Sequence, residues 1–521
     1  MEQIGRVIEE STPSGFVFKT DLEHHVALHD YVTVEVTGQE DGRMEKANVL
    51  AEVLGLGSKN PLATERISTD LQATPYSYKL VRAEIVGYIS KDGSILRPKV
   101  APDPNAPVYR AEDSFLQEFF KGIEARLPLY VGRLLNRPGV TVPVHLQDLQ
   151  FHLGIFAATR AGKSYLAGRM MEEILLKTPF PVVVIDIHAD YVMMDRMAES
   201  GDKHGNFDVV VHYPPGVQRI SGVTAEEREL GFSPDQLTNE AIMELLGATL
   251  GELQRISLRK VLKEIRGEKR PFGLRDIISS IEEKLIEKRP DGKSALGSRE
   301  RARYESLLLR LEDLGEEVSL PPKGTKIADI VRPKTLSVIC LNGLRSRIQD
   351  AYASIVVDLL FKHMVASRDK VREFVPTFVF VEEAHRIASR EGGSRFAVRT
   401  ISTAIREGSK FGLFMTLISQ RPRSIDPDIL SNVGNYAVLR ITNQQDQLMI
   451  ESASESFSHR LIEDLPSLNQ GEAVLVGPFV PLPAHVKVLE RQTVHHGVTP
   501  DLGRIASRIQ AQLENRKRER W

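Results

Sequence analysis

An α/β fold carrying a phosphate-binding loop, preceded by a small β domain and interrupted by a helical insertion, is what this sequence predicts. Three observations carry that expectation. The first hundred residues hold short alternating apolar runs separated by turn-rich segments. From about residue 110, apolar strand-sized runs alternate with helical patterns. Between about 220 and 320 the strand runs vanish and the chain turns charged and helical.

The first region reads as β because Val32, Val34 and Val36 alternate with Thr33 and Glu35, the period of a half-buried strand. Runs beginning at Gly15, Asn48 and Arg82 resemble it, and the turn-rich stretches between them point to a small barrel or sandwich. The proline-rich 98–107 reads as a linker. Candidate buried strands then begin near residues 152, 181, 208, 336, 376, 412, 436 and 472, with helical patterns between many of them. These boundaries predict a β-barrel over 1–100 and a first core segment over 110–218. A helical insertion over 219–325, a second core segment over 326–490 and a tail or brace over 491–521 follow.

Composition bounds the rest. A chain of 521 residues, 41% hydrophobic and 26% charged, is that of an ordered globular protein of several domains. One cysteine, Cys340, excludes a disulfide framework and points to a reducing, cytoplasmic setting. The longest apolar runs are strand-sized, so no membrane span is expected, and the N-terminus has no signal-peptide pattern. The formal charge of −2 does not suggest a protein coated in nucleic acid, yet a ring or cleft can confine positive charge to a small surface.

The strongest motif is AATRAGKS (157–164), placed directly after an apolar strand run and before a helix pattern in which Leu166, Met170 and Ile174 recur. Backbone N–H groups at such a loop and at the helix N-terminus surround an anion. Thr159, Arg160, Ala161, Gly162, Lys163, Ser164 and Tyr165 are therefore the expected nucleotide-binding residues. Lys163 would reach the β- and γ-phosphates of ATP, and the Ser164 hydroxyl would ligate Mg²⁺. Ala157 stands where the usual pattern begins with glycine.

Hydrolysis also needs acids. The run PTFVFVEEAH (376–385) ends a buried strand in Glu382 and Glu383, the first placed for the metal and the second for activating water. Alone, the pair would as readily be the acidic start of a helix. Gln420, closing another apolar strand, is a candidate γ-phosphate sensor. Arg406, near the end of a helical pattern that stops at Gly408, is the first candidate for an arginine finger acting in trans.

Together these pieces resemble the HerA family of hexameric DNA translocases, related to the FtsK motors. The matching segments are AATRAGKS (157–164), VVVIDIHADY (182–191), PTFVFVEEAH (376–385), ISTAIREGSKFG (401–412), LISQRP (417–422) and DLPSLNQGEAVLVG (464–477). The resemblance implies a RecA-like core and an N-terminal barrel of the kind shared with rotary ATP synthase subunits. It also implies a hexameric ring on double-stranded DNA and a NurA-type partner nuclease, acting in end resection for recombinational repair. Asp186 and His188 match the family's Asp-x-His; they either help organise the site or close a strand-end turn. The chain departs from the family where Arg160 and Ala161 replace a Gly-Ser pair, and where Ala189 and Asp190 replace Gly-Glu.

A translocase must also grip the phosphate backbone. Arg345 and Arg347 after one core strand, and Arg390 and Arg395 after another, are the candidate contacts; solvated surface loops are the ordinary alternative. Two other functions stay open on sequence alone. One is a P-loop motor of conjugation or secretion type, and the other an ATP-gated assembly protein with little turnover.

Overall fold

The computed structural model describes residues 2–8, 11–40, 43–59, 77–91, 93–121, 127–247, 250–288, 290, 294–315, 318–370, 374–389, 393–454, 456–497, 502–503 and 505–510. Arg390 and the basic end of the tail, 511–521, lie outside the described residues. The chain divides into two compact units. The first comprises Met1–Lys177, Glu383–Gly393 and Ile401–Glu490, the second Thr178–Glu382, Ser394–Thr400 and Arg491–Trp521.

The first unit opens with a closed barrel. Its strands are β1 (Gln3–Val7), β2 (Gly15–Asp21), β3 (Tyr31–Glu40), β4 (Arg43–Lys59), β5 (Tyr78–Ile89), β6 (Ile95–Leu96) and β7 (Pro107–Arg110). They order as β2-β1-β7-β3-β4-β5, and β2 pairs with β5 to close the ring, with β6 appended to β5. Alternation explains the core: Phe16 and Phe18, Val32, Val34 and Val36, Val49, Ala51 and Val53, and Val81, Ala83 and Ile85 all point inward. The stretch read as a linker instead returns to the barrel. Asn105 donates its N–H to the Val7 carbonyl, Ala106 accepts the Val7 N–H, and β7 fills the place between β1 and β3. Its prolines suited a linker, but the extended backbone they favour serves a strand's entry equally well.

The later strands are, in chain order, β8 (Pro128–Leu134), β9 (Arg137–His145), β10 (Leu153–Phe156), β11 (Val182–Asp186), β12 (Asp208–Tyr213), β13 (Glu226–Glu229), β14 (Thr335–Cys340), β15 (Thr377–Val381), β16 (Leu413–Ser419), β17 (Asn435–Leu439), β18 (Glu472–Val476) and β19 (Ala484–Val488). Within the first unit β10 lies between β16 and β17, parallel to both. β17 then continues antiparallel through β18, β19, β8 and β9. The expectation of parallel strands thus holds beside the phosphate loop and fails beyond β17. The β8–β9 hairpin was missed in the sequence because its apolar residues are interrupted by Gly132, Pro138 and Gly139.

In the second unit the parallel order is β13-β12-β14-β11-β15. β13 corrects the expectation that strands vanish after residue 220: EERE (226–229) has no apolar residue to reveal it, and it pairs through its backbone at the sheet edge. The rest of that stretch is helical as expected. Helices Glu252–Gly267, Leu274–Ile286 and Ser298–Leu314 bury Leu258, Val261, Leu262 and Ile265, Ile277 and Ile281, and Leu307, Leu311 and Leu314, the spacing of one face of a helix. Cys340 is buried, and burial pushes its thiol up to about 12, so it is inert at neutral pH. No helix among the described residues is long and apolar enough to cross a membrane.

Candidate functional site

β10 is wholly buried and delivers the chain into the loop at Ala157, from which the helix Lys163–Lys177 departs. Ala157 donates its N–H to Ser419 and Ala158 donates to Arg440, so the neighbouring strands β16 and β17 clamp the loop's entrance. Ala157 adopts no positive φ, which explains why alanine serves where the usual pattern has glycine. Gly162 is different, with φ +109°. A Cβ there would meet nothing closer than Leu439 at 3.4 Å, so conformation, more than crowding, requires glycine.

Arg160 sits at φ +64°, the left-handed region. The family resemblance has glycine at this position, and the backbone shows why. A non-glycine residue there costs on the order of 1 kcal/mol. Arg160→Gly is therefore expected to raise the unfolding free energy by up to about 1 kcal/mol, read as a higher urea midpoint at unchanged slope. Ala189, which also stands where the family has glycine, likewise lies at φ +64°.

The P-loop lysine does not stand alone. Lys163 is 8% exposed and its Nζ donates to Glu383 Oε1 at 3.0 Å. Gln420, at the end of β16, donates from Nε2 to the same oxygen at 2.8 Å. Its Oε1 accepts the Thr159 hydroxyl at 2.7 Å. Thr159, Gln420, Glu383 and Lys163 thus form one hydrogen-bonded chain that begins and ends on the phosphate loop. The other carboxylate oxygen, Glu383 Oε2, lies 3.3 Å from His385 Nδ1, which also contacts Ser419 Oγ at 3.1 Å.

Two physical influences compete at Glu383. Burial raises its pKa, but the Lys163 charge and hydrogen bond, the Gln420 amide and His385 together outweigh burial and hold it below the ordinary 4.5. At His385 burial wins over the Glu383 charge and lowers the ring's pKa. Glu383 is accordingly an ionised acceptor at neutral pH. Its backbone is left-handed, φ 47° and ψ 40°, a conformation a glutamate adopts only where its surroundings impose it.

Glu382 belongs to the second unit and keeps different company. It is 1% exposed and its Oε1 accepts the Tyr191 hydroxyl at 2.9 Å. Asp186, at the end of β11, accepts the backbone N–H groups of His188 and Asp190 on Oδ1 and that of Tyr191 on Oδ2. Its carboxylate therefore shapes the turn that carries Tyr191 to Glu382. Burial, and after it the charge of Glu382, push the Asp186 carboxyl well above the usual carboxylate range. Asp186→Ala would orphan the buried Tyr191 N–H and leave two part-buried ones, of His188 and Asp190, to water. At roughly 1–3 kcal/mol for an unsatisfied buried group, a loss of about 1–3 kcal/mol in unfolding free energy is expected from urea titration.

Other expected residues fall on the surface. Arg406 is exposed in the last turn of the helix Arg395–Glu407, and Arg395 is exposed in its first turn. Arg345 and Arg347 are exposed around the start of the helix Ser346–Ser367, with Arg345 Nη2 3.4 Å from Asp313. Ser164 and Tyr165 are half-buried at the start of the P-loop helix, and His188 is exposed. Sequence reasoning assigned no role to His385, Ser419 or Tyr191. His385 and Tyr191 stand inside motifs already singled out, two residues beyond Glu383 and five beyond Asp186.

Residues 129–360 match the family described as helicase HerA, central domain. The chain is 30% identical over 427 residues to a protein described as a probable helicase of Methanocaldococcus jannaschii, covering 79% of this chain and 76% of that one. It is 26% identical over 535 residues to the DNA double-strand break repair helicase HerA of Pyrococcus furiosus, covering 94% and 92%. Among solved structures, VirB4 of Thermoanaerobacter pseudethanolicus superposes with a TM-score of 0.50 at 13% identity, covering 70% of this chain and 96% of that one. That last likeness is one of fold.

Proposed function

Because the chain belongs to the HerA helicase family of P-loop motors, we propose that it is an ATP-driven DNA translocase, a hexameric ring acting on double-stranded DNA in the cytoplasm. The relatives named for double-strand break repair support a role in that repair, and end resection with a NurA-type nuclease is part of the same proposal. The observation that carries the reading is the hydrogen-bonded chain from Thr159 through Gln420 and Glu383 to Lys163.

In this proposal Lys163 and the loop N–H groups bind the triphosphate of ATP. Phosphate oxygens compete with Glu383 for Lys163, so binding releases the Glu383 carboxylate to accept a proton from attacking water. Gln420 reports the same event to Thr159. Ser164 and Glu382 are the proposed Mg²⁺ ligands, a hydroxyl and a carboxylate being the hard oxygen donors that ion takes. Bound there, Mg²⁺ supplies charge neutralisation on the phosphate oxygens. Arg406 is the proposed finger for a neighbouring subunit, and Arg345, Arg347, Arg390 and Arg395 the proposed contacts to DNA phosphates. The division at 1–100, 110–218, 219–325, 326–490 and 491–521 belongs to the same proposal, with the barrel running on to β7 (Pro107–Arg110).

Steady-state ATP hydrolysis with and without linear duplex DNA, on a sample whose mass is read by light scattering, tests the proposal. Several-fold stimulation in a particle of about six subunits is expected. Hydrolysis indifferent to DNA would reject the DNA motor, and binding without turnover would reject the ATPase cycle. The finger has its own test, in which Arg406→Ala is mixed with Lys163→Ala. A finger in trans predicts partial recovery in the mixture, because an intact loop and an intact arginine meet at some interfaces. An arginine acting in its own subunit predicts no recovery.

A further inference from the structure

Far from the phosphate loop in sequence, the first unit assembles another set of ligating side chains. His29 comes from the turn before β3, Asp464 from the end of the helix His459–Asp464, and His485 from β19. One ligand atom from each lies within 4.8 Å of the others. His29 Nε2 is 3.2 Å from Asp464 Oδ2, and His485 Nε2 is 3.6 Å from the same oxygen. Bonds of about 2.0–2.1 Å in a tetrahedral site put neighbouring ligand atoms about 3.3 Å apart, close to both distances.

Two further features point to a cation. His485 is 5% exposed, and although His29 Nε2 and His485 Nε2 lie 3.2 and 3.6 Å from Asp464 Oδ2, neither approach has hydrogen-bond geometry. Glu52, on β4, places Oε1 2.8 Å from His29 Nδ1. A carboxylate on the far nitrogen leaves Nε2 as the ligating atom and fixes the ring's orientation, the outer-shell arrangement typical of metal-bound histidine. The two rings stack with centroids 3.7 Å apart. To ligate one ion, both rings would have to turn out of this stack so that their in-plane lone pairs converge.

We propose that His29 Nε2, His485 Nε2 and Asp464 Oδ2 form a structural site for a divalent transition metal of the zinc class, with Glu52 orienting His29. Two imidazoles and one carboxylate suit zinc or cobalt better than magnesium, which prefers an all-oxygen shell. The half-buried Asp464 side leaves room for water as a fourth ligand. The metal would clip the turn before β3 of the barrel to β19, two segments separated by more than four hundred residues of chain. This site is independent of the proposed ATPase cycle.

Cobalt is the probe, because its visible absorption reports coordination directly. Full-length protein, stripped with chelator and held in excess Mg²⁺ to occupy nucleotide-type sites, is titrated with Co²⁺ and then displaced with Zn²⁺. The expected result is one Co²⁺ per chain with visible bands of low-coordinate cobalt, lost on adding Zn²⁺, and a thermal midpoint raised by Zn²⁺. His485→Ala and Asp464→Asn should each weaken cobalt binding at least tenfold. His485→Gln serves as a second variant if the alanine form does not fold. Absent bands in the parent protein, or bands unchanged in a folded His485 variant, would overturn the site and leave the cluster as an ion pair between His29 and its two carboxylates.

Discussion

Glu383→Gln is expected to lower steady-state ATP hydrolysis by about 10²–10⁴-fold, the range for removing a positioned general base, while nucleotide binding persists. Glu383 is held ionised by Lys163, Gln420 and His385 against the contrary pull of burial, so it is an acceptor at neutral pH. A glutamine keeps the shape and can still accept from Gln420, but it cannot take a proton from water. Lys163, no longer drawn to a carboxylate, stays available to phosphate. The check is a pair of measurements on one sample: turnover by phosphate release, and affinity by fluorescent nucleotide titration. Loss of both together would place Glu383 in binding, and full turnover would remove it as the base.

Lys163→Ala is expected to abolish both binding and turnover, and to alter stability in a way that identifies its partner. Lys163 and Glu383 are each more than nine-tenths buried and stand 3.0 Å apart. Breaking such a pair leaves a buried charge, at a cost of about 3–5 kcal/mol, moderated here because Gln420 still bonds the carboxylate. The pH dependence follows from the direction of the Glu383 shift. A carboxyl whose folded pKa is depressed contributes stability that is present above its ordinary 4.5 and lost as pH falls through the folded value. In Lys163→Ala the principal lowering influence is gone, and burial drives the pKa up. Its stability should instead improve relative to the parent as pH falls from 7 toward 4. Unfolding midpoints of the two proteins across that range read the sign, and parallel curves would deny the pair a role in stability.

The parts of this architecture that were legible are those written in contiguous residues. The alternation of Val32, Val34 and Val36 announces a barrel strand, and the apolar run at 153–156 followed by AATRAGKS announces strand, loop and helix. What escaped had no local signature. β13 is four charged residues paired through backbone alone, and β8–β9 is broken by glycine and proline. Conversely, the prolines of 98–107 suggested a linker where the chain was entering β7. The positive φ of Arg160 and Ala189 explains two departures from the family pattern that sequence comparison registers only as differences.

The sequence by itself determined that this chain holds a phosphate loop on a buried strand, because that unit is made by neighbours along the backbone and its chemistry is set by their order. Tertiary structure decided which acid meets the lysine. Glu383 lies 220 positions from Lys163, and Gln420 lies 261 from Thr159. Nothing in the periodicity of either segment states that β16 runs beside β10. That pairing brings Gln420 to Thr159, and the left-handed turn at Glu383 sets its carboxylate between Gln420 and Lys163. Long-range strand order is set by how whole apolar faces are buried, and it leaves no mark on the few polar residues that it brings together.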